Sequence, residues 1–373
     1  MPRRLLFLTG TRADFGKLSP LIDACVNFGF DVSCFVTGMH MLAQYGLTKI
    51  EVHRLRNVQV HEFLNQRAGD SQDIILSKTI AGFSDFIVEH KPDLVVIHGD
   101  RLEALAGALV SAANSIHSAH VEGGEVSGTI DEAFRHCNSK LCTHHFVSSE
   151  EAKRRVMLLG EPPDSIHIIG SPELDLHSKP SGVTLDEVKK RYDINFQEYG
   201  IAVFHPVTSE LPTIGEQAGN LFQALESSGR QFVVILPNND PGCDDILVAL
   251  KRLPRDQFRL IPSMRFSHFS ELMKNAACLI GNSSAGVREA PFLGISSLDV
   301  GTRQTNRALA ASVVSCAADQ VDVIIKFIHA EWGVRHSPHS GFGEGRAADR
   351  FVDVLSDPAF WARGLQKTFH DVV

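Results

Sequence analysis

The sequence predicts an α/β protein built from two Rossmann-like domains, each a parallel β-sheet with helices packed against it. The chain has 373 residues, and at roughly 150 residues per domain this length favours two hydrophobic cores. Short, continuously apolar runs alternate with longer segments of helical period, which is the pattern of βαβ units. Glycines and charged residues follow several of the apolar runs, where such sheets bind their ligands.

The first half of the chain carries six strand candidates. Their apolarity is continuous rather than alternating, which predicts burial on both faces of a parallel sheet. They are residues 5–8, 32–36, 94–97, 119–121, 146–148 and 166–169. Segments of helical period lie between them at residues 18–28, 72–89 and 102–113.

A polar stretch, KPSGVT, separates this series from a second one. The second series has strand candidates at residues 201–204, 232–236, 260–262, 278–280 and 297–300. We therefore expect an N-terminal domain at residues 1–177 and a C-terminal domain at residues 178–357, facing each other across a cleft. The aromatic-rich segment 358–373 is predicted to be a helix that packs back onto the N-terminal domain.

Composition argues against several classes of protein. The formal net charge of −8 disfavours nucleic-acid binding, which needs a basic face. The seven cysteines lack zinc-like spacing and no H-E-x-x-H occurs, so we predict reduced core thiols and no metal site. No apolar run is long enough to span a membrane, and the run at residues 5–8 is too short for a signal peptide. These features favour the cytoplasm.

The loop after the first strand reads TGTRADFGK. It lacks the G-x-G-x-x-G spacing of a dinucleotide site, which argues against a dehydrogenase. The N–H groups at the start of the following helix, together with Arg12, can hold a phosphate, because both sets of donors point to one place. A salt-bridged surface arginine is the alternative for Arg12.

Two carboxylates follow later strands of the first half. Asp100 lies in the motif HGDR after strand 94–97, and it is either a site carboxylate or the N-cap of the next helix. Glu122 opens the stretch EGGEVSGTIDEAFRH after strand 119–121. Its three glycines allow backbone to approach a ligand closely.

The same stretch carries a helix start with further charges. Glu132 fits a capping box with Thr129, and this structural role accounts for a glutamate at that position without any catalytic role. Asp131 and Arg135 are four residues apart and either pair along the helix or face the cleft. Several carboxylates in one cleft acquire different acidities, as acid and base catalysis require, and Asp100 and Glu122 complete such a set with Asp131.

In the second half, strand 201–204 ends at His205. A histidine there titrates near neutral pH and can move a proton or donate to a phosphate. Strand 278–280 leads into GNSSAGVRE, in which Ser283 and Ser284 open a helix and favour anion binding, with simple N-capping as the alternative. Glu289 lies about a turn further, where a carboxylate can accept hydrogen bonds from ribose. Arg303 follows the next strand and can face a phosphate.

Seven motifs in this order resemble those of the hydrolysing UDP-N-acetylglucosamine 2-epimerases, which include enzymes of bacterial sialic and legionaminic acid pathways. They span residues 9–304 and read GTRADFGKL, HGDR, EGGEVSGTIDEAFRH, FHPVT, PNND, GNSSAGVREA and GTRQ. The resemblance implies the two-domain GT-B fold, a homodimer, a UDP-sugar substrate with UDP as product, and no cofactor.

The resemblance also implies roles for individual residues. UDP binding is implied for Arg12, Asn238, Ser283, Ser284, Glu289 and Arg303. Arg101 and His205 are implied near the diphosphate or sugar, and catalytic positions are implied for Asp100, Glu122 and Asp131. We expect Glu122 or Asp131 to exchange the sugar C2 proton, Asp100 to assist the second proton transfer, and His205 with Arg135 to stabilise the departing charge.

The family reaction removes the C2 proton, expels UDP to give a glycal, and adds water with C2 inverted. Its substrate is UDP-N-acetylglucosamine (UDP-GlcNAc) or UDP-N,N'-diacetylbacillosamine, and the sequence leaves this choice open. A non-hydrolysing epimerase and a GT-B glycosyltransferase are the alternative enzymes, and a nucleotide-sugar sensor is the non-enzymatic one.

Overall fold

The computed structural model describes residues 2–43, 46–67, 69–126, 131–237, 240–307, 310–368 and 370–371. The chain divides into two compact units. The N-terminal unit contains Met1–Glu125, Ile130–Asp175 and Gly343–Val373. The C-terminal unit contains Val126–Thr129 and Leu176–Phe342.

The N-terminal unit is built on a seven-stranded parallel sheet. Its strands are β1 (Arg4–Thr9), β2 (Asp31–Val36), β3 (Gln59–Glu62), β4 (Leu94–His98), β5 (His117–Val121), β6 (His144–Val147) and β7 (Ile166–Ile168). Their order across the sheet is β3-β2-β1-β4-β5-β6-β7. The six strands predicted for this half are present, with ends that differ by no more than two residues. The edge strand β3 escapes prediction because its sequence, QVHE, is only partly buried and has no apolar run.

Helices connect these strands. They are α1 (Arg12–Phe28), α2 (Lys49–Val52), α3 (Gln72–His90), α4 (Leu102–Ala113), α5 (Asp131–Leu141), α6 (Glu150–Leu158) and α7 (Glu173–Ser178), with short 3-10 turns at Gly38–Met41 and Pro163–Ser165. Both faces of the sheet are covered. Leu5 and Phe7 of β1 belong to one buried cluster, whereas Leu6 and Leu8 belong to another that includes Phe83 of α3. Burial on both faces explains the continuous apolarity of the strands.

The C-terminal unit contains a six-stranded parallel sheet. Its strands are β8 (Gly200–Val203), β9 (Phe232–Ile235), β10 (Phe258–Ile261), β11 (Leu279–Gly281), β12 (Ser297–Val300) and β13 (Val313–Cys316), in the order β10-β9-β8-β11-β12-β13. Its helices are α8 (Leu185–Tyr192), α9 (Ile214–Ser227), α10 (Cys243–Leu250), α11 (Phe266–Lys274), α12 (Ser284–Val287), α13 (Glu289–Phe292) and α14 (Val321–Glu331), with a 3-10 segment at Thr208–Thr213. The unpredicted strand, β13, is again a partly exposed edge strand.

The end of the chain returns to the N-terminal unit earlier than expected. The return begins at Gly343, and it includes α15 (Ala347–Ser356) and α16 (Pro358–Trp361). The carboxylate of Asp175 accepts hydrogen bonds from the backbone N–H groups of Ala347 and Ala348 (2.8 and 2.7 Å), and Phe351 lies in the core. The return therefore begins before the expected boundary at 357. Within the segment predicted as a short helix, 358–373, the structure has the single turn α16, and α15 ahead of it is the main packing element.

Each sheet has one point where the strand order reverses, between β1 and β4 and between β8 and β11. In open α/β sheets, ligands bind beyond the carboxyl ends of the strands at such a point. Among the described residues, no helix combines the length and apolarity needed to cross a membrane.

Candidate active site

The first loop of the N-terminal unit is held by an aspartate of the following helix. The Asp14 carboxylate accepts hydrogen bonds from the backbone N–H groups of Gly10 (2.9 Å) and Thr11 (3.0 Å), and from the Thr9 hydroxyl (2.7 Å). A carboxylate of the chain itself therefore occupies the two backbone N–H groups that directly precede the first turn of α1. The guanidinium of Arg12 forms an ion pair with Glu51 at 3.6 Å, which is the salt-bridge alternative.

Glu122 lies at the carboxyl end of β5 and is 5% exposed. Its φ of 62° is in the left-handed region, which costs a residue with a side chain about 1–2 kcal/mol and persists where surrounding contacts enforce it. Its carboxylate accepts a hydrogen bond from Lys17 Nζ at 2.7 Å and lies 3.2 Å from His98 Nε2. Burial of this charge is therefore compensated by a cation from α1.

A second buried carboxylate adjoins Glu122. Ser171 Oγ lies 2.5 Å from one oxygen of Glu122 and 2.8 Å from an oxygen of Glu173, at the start of α7. Glu173 is 2% exposed, and its other oxygen lies 3.3 Å from Lys17 Nζ. Lys17 and Ser171 thus each contact both carboxylates.

Asp100 is held by α5. The Nη2 group of Arg135 donates to the Asp100 carboxylate, and Nη1 donates to the backbone carbonyl of Glu125 at 3.0 Å. The N-cap position of α4 is Arg101 rather than Asp100, so the capping alternative for Asp100 is wrong. The Arg135 side chain is buried against these partners, which makes it a support for Asp100.

The loop that carries Asp100 is fixed by a buried carbonyl. The carbonyl oxygen of Gly99 accepts hydrogen bonds from His120 Nε2 (2.8 Å) and Asn138 Nδ2 (3.0 Å). Burial lowers the pKa of His120 to about 3, so the ring is neutral near pH 7 with its proton on Nε2. Asn138 and Arg135 are three residues apart on α5, and both reach the loop of Asp100.

The remaining predicted residues of this unit lie at the same edge of the sheet. Asp131 is the first residue of α5 and is half-buried. Arg101 starts α4 and donates weakly to the sulfur of Met39 at 3.6 Å.

In the C-terminal unit, one asparagine side chain connects the two strands at the switch point. Asn282 follows β11, is 1% exposed, and holds the backbone of His205, which follows β8. Its Oδ1 accepts from the N–H of His205 and its Nδ2 donates to the carbonyl of His205, both at 2.7 Å. The backbone carbonyl of Asn282 accepts from Arg303 (3.2 Å) and Gln304 (2.9 Å).

The serines of the GNSS motif open α12. Ser283 is the N-cap, and its hydroxyl accepts from the N–H of Ala285 at 3.3 Å. The capping interpretation therefore holds for Ser283, whereas Ser284 is the first helical residue. Gly281 has φ 134°, and a Cβ there would lie 2.0 Å from the carbonyl oxygen of Val203. Only glycine allows β11 and β8 to lie this close where the motif begins.

Glu289, the expected ribose ligand, is buried and has a histidine partner. His177 Nε2 lies 2.8 Å from its carboxylate, and His177 Nδ1 lies 2.9 Å from Ser270 Oγ. A further buried carboxylate, Asp299, lies in β12, the strand next to β11 in the sheet. Asp299 is 3% exposed. Burial raises the pKa of Asp299 to about 6, although Arg307 and Arg303 act to lower it.

Several of these residues were not predicted as site members. Lys17 and His98 lie inside recognised motifs, so the motifs contained a signal for both. Ser171, Glu173 and His177 lie between the last strand predicted for the first half and the polar stretch KPSGVT, and none of them belongs to a recognised motif. Asn238, a predicted UDP ligand, lies outside the described residues. Among the residues that are described, no group of three or more His, Cys, Asp or Glu side chains is arranged to hold a metal ion.

Two parallel sheets with polar side chains gathered at their switch points define a GT-B-like α/β enzyme. A family model described as UDP-N-acetylglucosamine 2-epimerase matches residues 25–356. The chain is 42% identical to the UDP-N-acetylglucosamine 2-epimerase of Neisseria meningitidis serogroup B, over 99% of each protein. The chain belongs to the UDP-N-acetylglucosamine 2-epimerase family, which confirms the resemblance inferred from the seven motifs.

More distant relatives agree with this assignment. The UDP-N,N'-diacetylbacillosamine 2-epimerase (hydrolyzing) of Legionella pneumophila is 29% identical over 98% of this chain and 99% of its own. The crystal structure of UDP-GlcNAc 2-epimerase from Neisseria meningitidis bound to UDP-GlcNAc superposes with a TM-score of 0.79. That structure is 20% identical and covers 94% of this chain and 99% of its own, so the likeness concerns the fold.

Proposed function

We propose that this protein is a hydrolysing UDP-GlcNAc 2-epimerase, which converts UDP-GlcNAc and water to UDP and free N-acetylmannosamine. The 42% identical Neisseria relative favours UDP-GlcNAc over the diacetylbacillosamine nucleotide. The reaction proceeds by elimination of UDP to a glycal and by addition of water across its double bond, which places a hydroxyl on C1 and a proton on C2. The free sugar is a precursor suited to nonulosonic acid synthesis.

The observation that carries the proposal is the buried Glu122, held at the end of β5 with Lys17 and Ser171 against it. Abstraction of a proton from C2 of a sugar needs a positioned carboxylate, and hydration needs a proton returned to C2. Glu122 and Asp131 are the two candidates for these exchanges. Fixed cations and donors around a carboxylate reduce the reorganisation that proton transfer requires.

Asp100 assists the second proton transfer, and Arg135 holds it in place. The two contacts of Arg135 within its own unit support a positioning role in preference to stabilisation of the departing diphosphate. His205, with its backbone fixed by Asn282, donates to the developing negative charge.

UDP binding belongs to the strand ends of the C-terminal unit. Ser283 and Ser284 offer hydroxyls at a helix start, Arg303 offers a guanidinium for phosphate, and Glu289 accepts from ribose hydroxyls. Arg12, Arg101 and Asn238 are assigned to the nucleotide on motif resemblance alone.

A homodimer is part of the same proposal, and light scattering at micromolar concentration tests it. A nucleotide-sugar substrate and seven unpaired thiols favour the cytoplasm as its compartment.

The decisive experiment follows the reaction in D2O by proton NMR. Purified protein is incubated with UDP-GlcNAc and, separately, with UDP-N,N'-diacetylbacillosamine. We expect UDP and a free manno-configured sugar deuterated at C2, formed faster from UDP-GlcNAc. Accumulation of UDP-linked N-acetylmannosamine would instead identify a non-hydrolysing epimerase, and two intact substrates would overturn the enzymatic proposal.

A variant pair ties the activity to the site. Glu122→Gln removes the proton-exchanging group while keeping its shape, and we expect turnover to fall at least about 100-fold with UDP still bound. The matched control is Glu331→Gln, a change of the same type in the C-terminal unit at a glutamate that accepts a hydrogen bond from Ser296 (2.6 Å).

A further inference from the structure

The surroundings of Glu122 hold more acidic groups than a single proton exchange requires. Glu122 and Glu173 are both buried; Glu122 directly follows β5 and Glu173 begins α7, so they are far apart in sequence. Lys17 Nζ lies 2.7 Å from an oxygen of Glu122 and 3.3 Å from an oxygen of Glu173. One ammonium thus contacts both carboxyl groups, and two carboxyl groups held this close favour a state in which they share a proton.

The hydroxyl of Ser171 lies between the two carboxyl groups. It is 2.5 Å from Glu122 Oε1 and 2.8 Å from Glu173 Oε2. A serine hydroxyl has one proton to donate, whereas an ionised carboxylate can only accept. Ser171 can make two hydrogen bonds here only if it donates to one carboxylate and accepts from a protonated carboxyl on the other side.

We propose that Glu173 is a positioning residue for the reaction, which shares one proton with Glu122 through the Ser171 hydroxyl and so sets the protonation state of Glu122. In one state Glu122 is ionised and Glu173 carries the proton. Transfer to the other state breaks the O–H bond of Glu173 as Ser171 accepts that proton. Ser171 then gives its own proton to Glu122, so one proton has moved and the negative charge has moved to Glu173.

The positive groups stay in place during this transfer. Lys17 contacts both carboxyl groups, so it balances the negative charge in either state. Among the described residues, the titratable groups that face Glu122 include Lys17 of α1, His98 of β4 and Glu173 of α7, and His98 Nε2 lies 3.2 Å from Glu122. Glu122 can therefore act as a base in one state and as an acid in the other without a change in the net charge of the cluster.

The inference rests on the proposed function, and its test measures the pH dependence of kcat and kcat/KM from pH 5 to 9 for Glu173→Gln. A neighbouring carboxyl group disfavours the ionised form of its partner. Removal of the Glu173 carboxyl group should therefore lower the pKa of Glu122. The part of the pH–rate profile that reports Glu122 should move to lower pH by about one pH unit, whether Glu122 acts as base or acid. We also expect kcat at pH 7.5 to fall about tenfold, with KM changed less than about twofold.

Ser171 variants separate proton sharing from packing. Ser171→Ala removes the hydroxyl and should lower kcat as much as Glu173→Gln does, and the double variant should be no slower than either single variant. Ser171→Thr keeps the hydroxyl and should restore most of kcat. The controls are Ser296→Ala and Glu331→Gln, a serine–glutamate pair of the same kind in the C-terminal unit, which should leave the pH profile unchanged.

A wild-type pH profile in Glu173→Gln, or additive losses from the two single variants, would overturn proton sharing. So would an equally low kcat in Ser171→Thr and Ser171→Ala when both are folded by circular dichroism. The proposed function fails in a different way, because then the wild-type protein itself would not release UDP and free sugar in D2O.

Discussion

His177 Nε2 lies 2.8 Å from the Glu289 carboxylate, and both side chains are buried. The other ring nitrogen of His177 is 2.9 Å from the hydroxyl of Ser270. Two fixed ring contacts orient the imidazole, and the imidazole in turn holds one oxygen of Glu289. A ribose hydroxyl needs an acceptor at a defined position. This relationship therefore predicts that His177 supports nucleotide binding by holding the Glu289 carboxylate in place.

His177→Phe should therefore weaken UDP binding by about tenfold, or about 1.4 kcal/mol, because Glu289 loses the contact that fixes its carboxylate. Affinity for 2',3'-dideoxy-UDP should change little, since that ligand has no hydroxyls to donate to Glu289. Isothermal titration calorimetry measures both. The control is the exposed His329→Phe, and an equal loss for both nucleotides would contradict a role through ribose.

Asn282 gives a second prediction for the same unit. Asn282→Asp keeps the oxygen that accepts from the N–H of His205 but replaces the donor to the His205 carbonyl by a second oxygen. Two acceptors facing each other in a buried place should cost about 1–3 kcal/mol of unfolding free energy and displace His205. We expect a lower kcat together with a lower urea midpoint.

The matched control for this change is Asn275→Asp. Asn275 is exposed on the end of α11 and donates to the carbonyl of Glu271 at 2.9 Å, so its replacement should alter neither quantity measurably. Unchanged kcat in a destabilised Asn282→Asp protein would show that Asn282 maintains the fold without affecting His205.

The fold was predictable because its signals are local. Continuous apolar runs predicted eleven of the thirteen strands, since a strand buried on both faces carries mostly apolar side chains. The two exceptions, β3 and β13, are edge strands whose partial exposure permits polar residues. The sequence did not predict that α15 packs on the N-terminal unit. That packing depends on contacts between residues far apart in sequence, such as the hydrogen bond from Ala347 to Asp175.

The candidate site was only partly predictable for the same physical reason. Asp100 and Glu122 were found because each directly follows a buried strand, and this position is visible in sequence. The contact between Glu122 and Ser171 joins residues 49 positions apart, and no periodicity encodes it. His177 lies 112 positions from Glu289, in the helix α7 just before the polar stretch KPSGVT, and no local pattern indicates their contact.

Arg135 should be irreplaceable by lysine. Its guanidinium donates to Asp100 and to the carbonyl of Glu125 from two different nitrogens, whereas an ammonium is a single point of donation. We expect Arg135→Lys and Asp100→Asn each to lower kcat by at least about tenfold and the double variant to be no worse than the poorer single variant. Steady-state kinetics measure this, with the exposed Arg350→Lys as control. Multiplied losses in the double variant would show independent roles.

Lys367 should stabilise the helix that carries Arg135. Its ammonium donates to the carbonyls of Ser139 (3.2 Å) and Cys142 (2.7 Å) at the end of α5 and lies 2.5 Å from the buried Glu161. Burial lowers the pKa of Lys367 although Glu161 acts to raise it. Lys367→Met removes these contacts and should cost about 1–3 kcal/mol of unfolding free energy, measured by urea denaturation.

The exposed Lys326→Met is the control for Lys367→Met, because it removes a charge on α14 without buried partners of this kind. If both variants unfold at the same urea concentration, the C-terminal segment does not support α5. A lower kcat in Lys367→Met at a temperature where it is folded would extend the effect to the positions of Arg135 and Asp100.

Buried histidines should make the N-terminal unit sensitive to acid. Burial lowers the pKa of His120 to about 3, that of His144 to about 2 and that of His167 to about 4. The unfolded chain takes up protons on these groups near pH 6.5, whereas the folded chain does not. Their contribution to stability is therefore complete above pH 6.5 and is lost as pH falls from there towards the folded-state values.

Two carboxyl groups define the useful pH window for this measurement. Burial acts to raise the pKa of Glu161, but hydrogen bonds from His145, Lys140 and Lys367 outweigh it and lower the pKa to about 2, so Glu161 adds acid sensitivity only below about pH 4.5. Burial raises the pKa of Asp299 to about 6, so this group contributes stability at low pH that is lost as pH rises through 6. Its effect on the unfolding free energy is opposite in sign to that of the histidines and involves a single proton.

Between pH 6.5 and 5 the unfolding free energy should thus fall as pH falls, by up to about 1.4 kcal/mol per pH unit for each buried histidine. Urea titrations at pH 7.5, 6.5, 5.5 and 5.0 measure the slope. His144→Phe should flatten it, because phenylalanine can stack on Phe360, as His144 does with ring centroids 3.7 Å apart, without binding a proton. A slope that is the same in His144→Phe and the wild-type protein would show that His144 takes up its proton in the folded state as readily as in the unfolded chain.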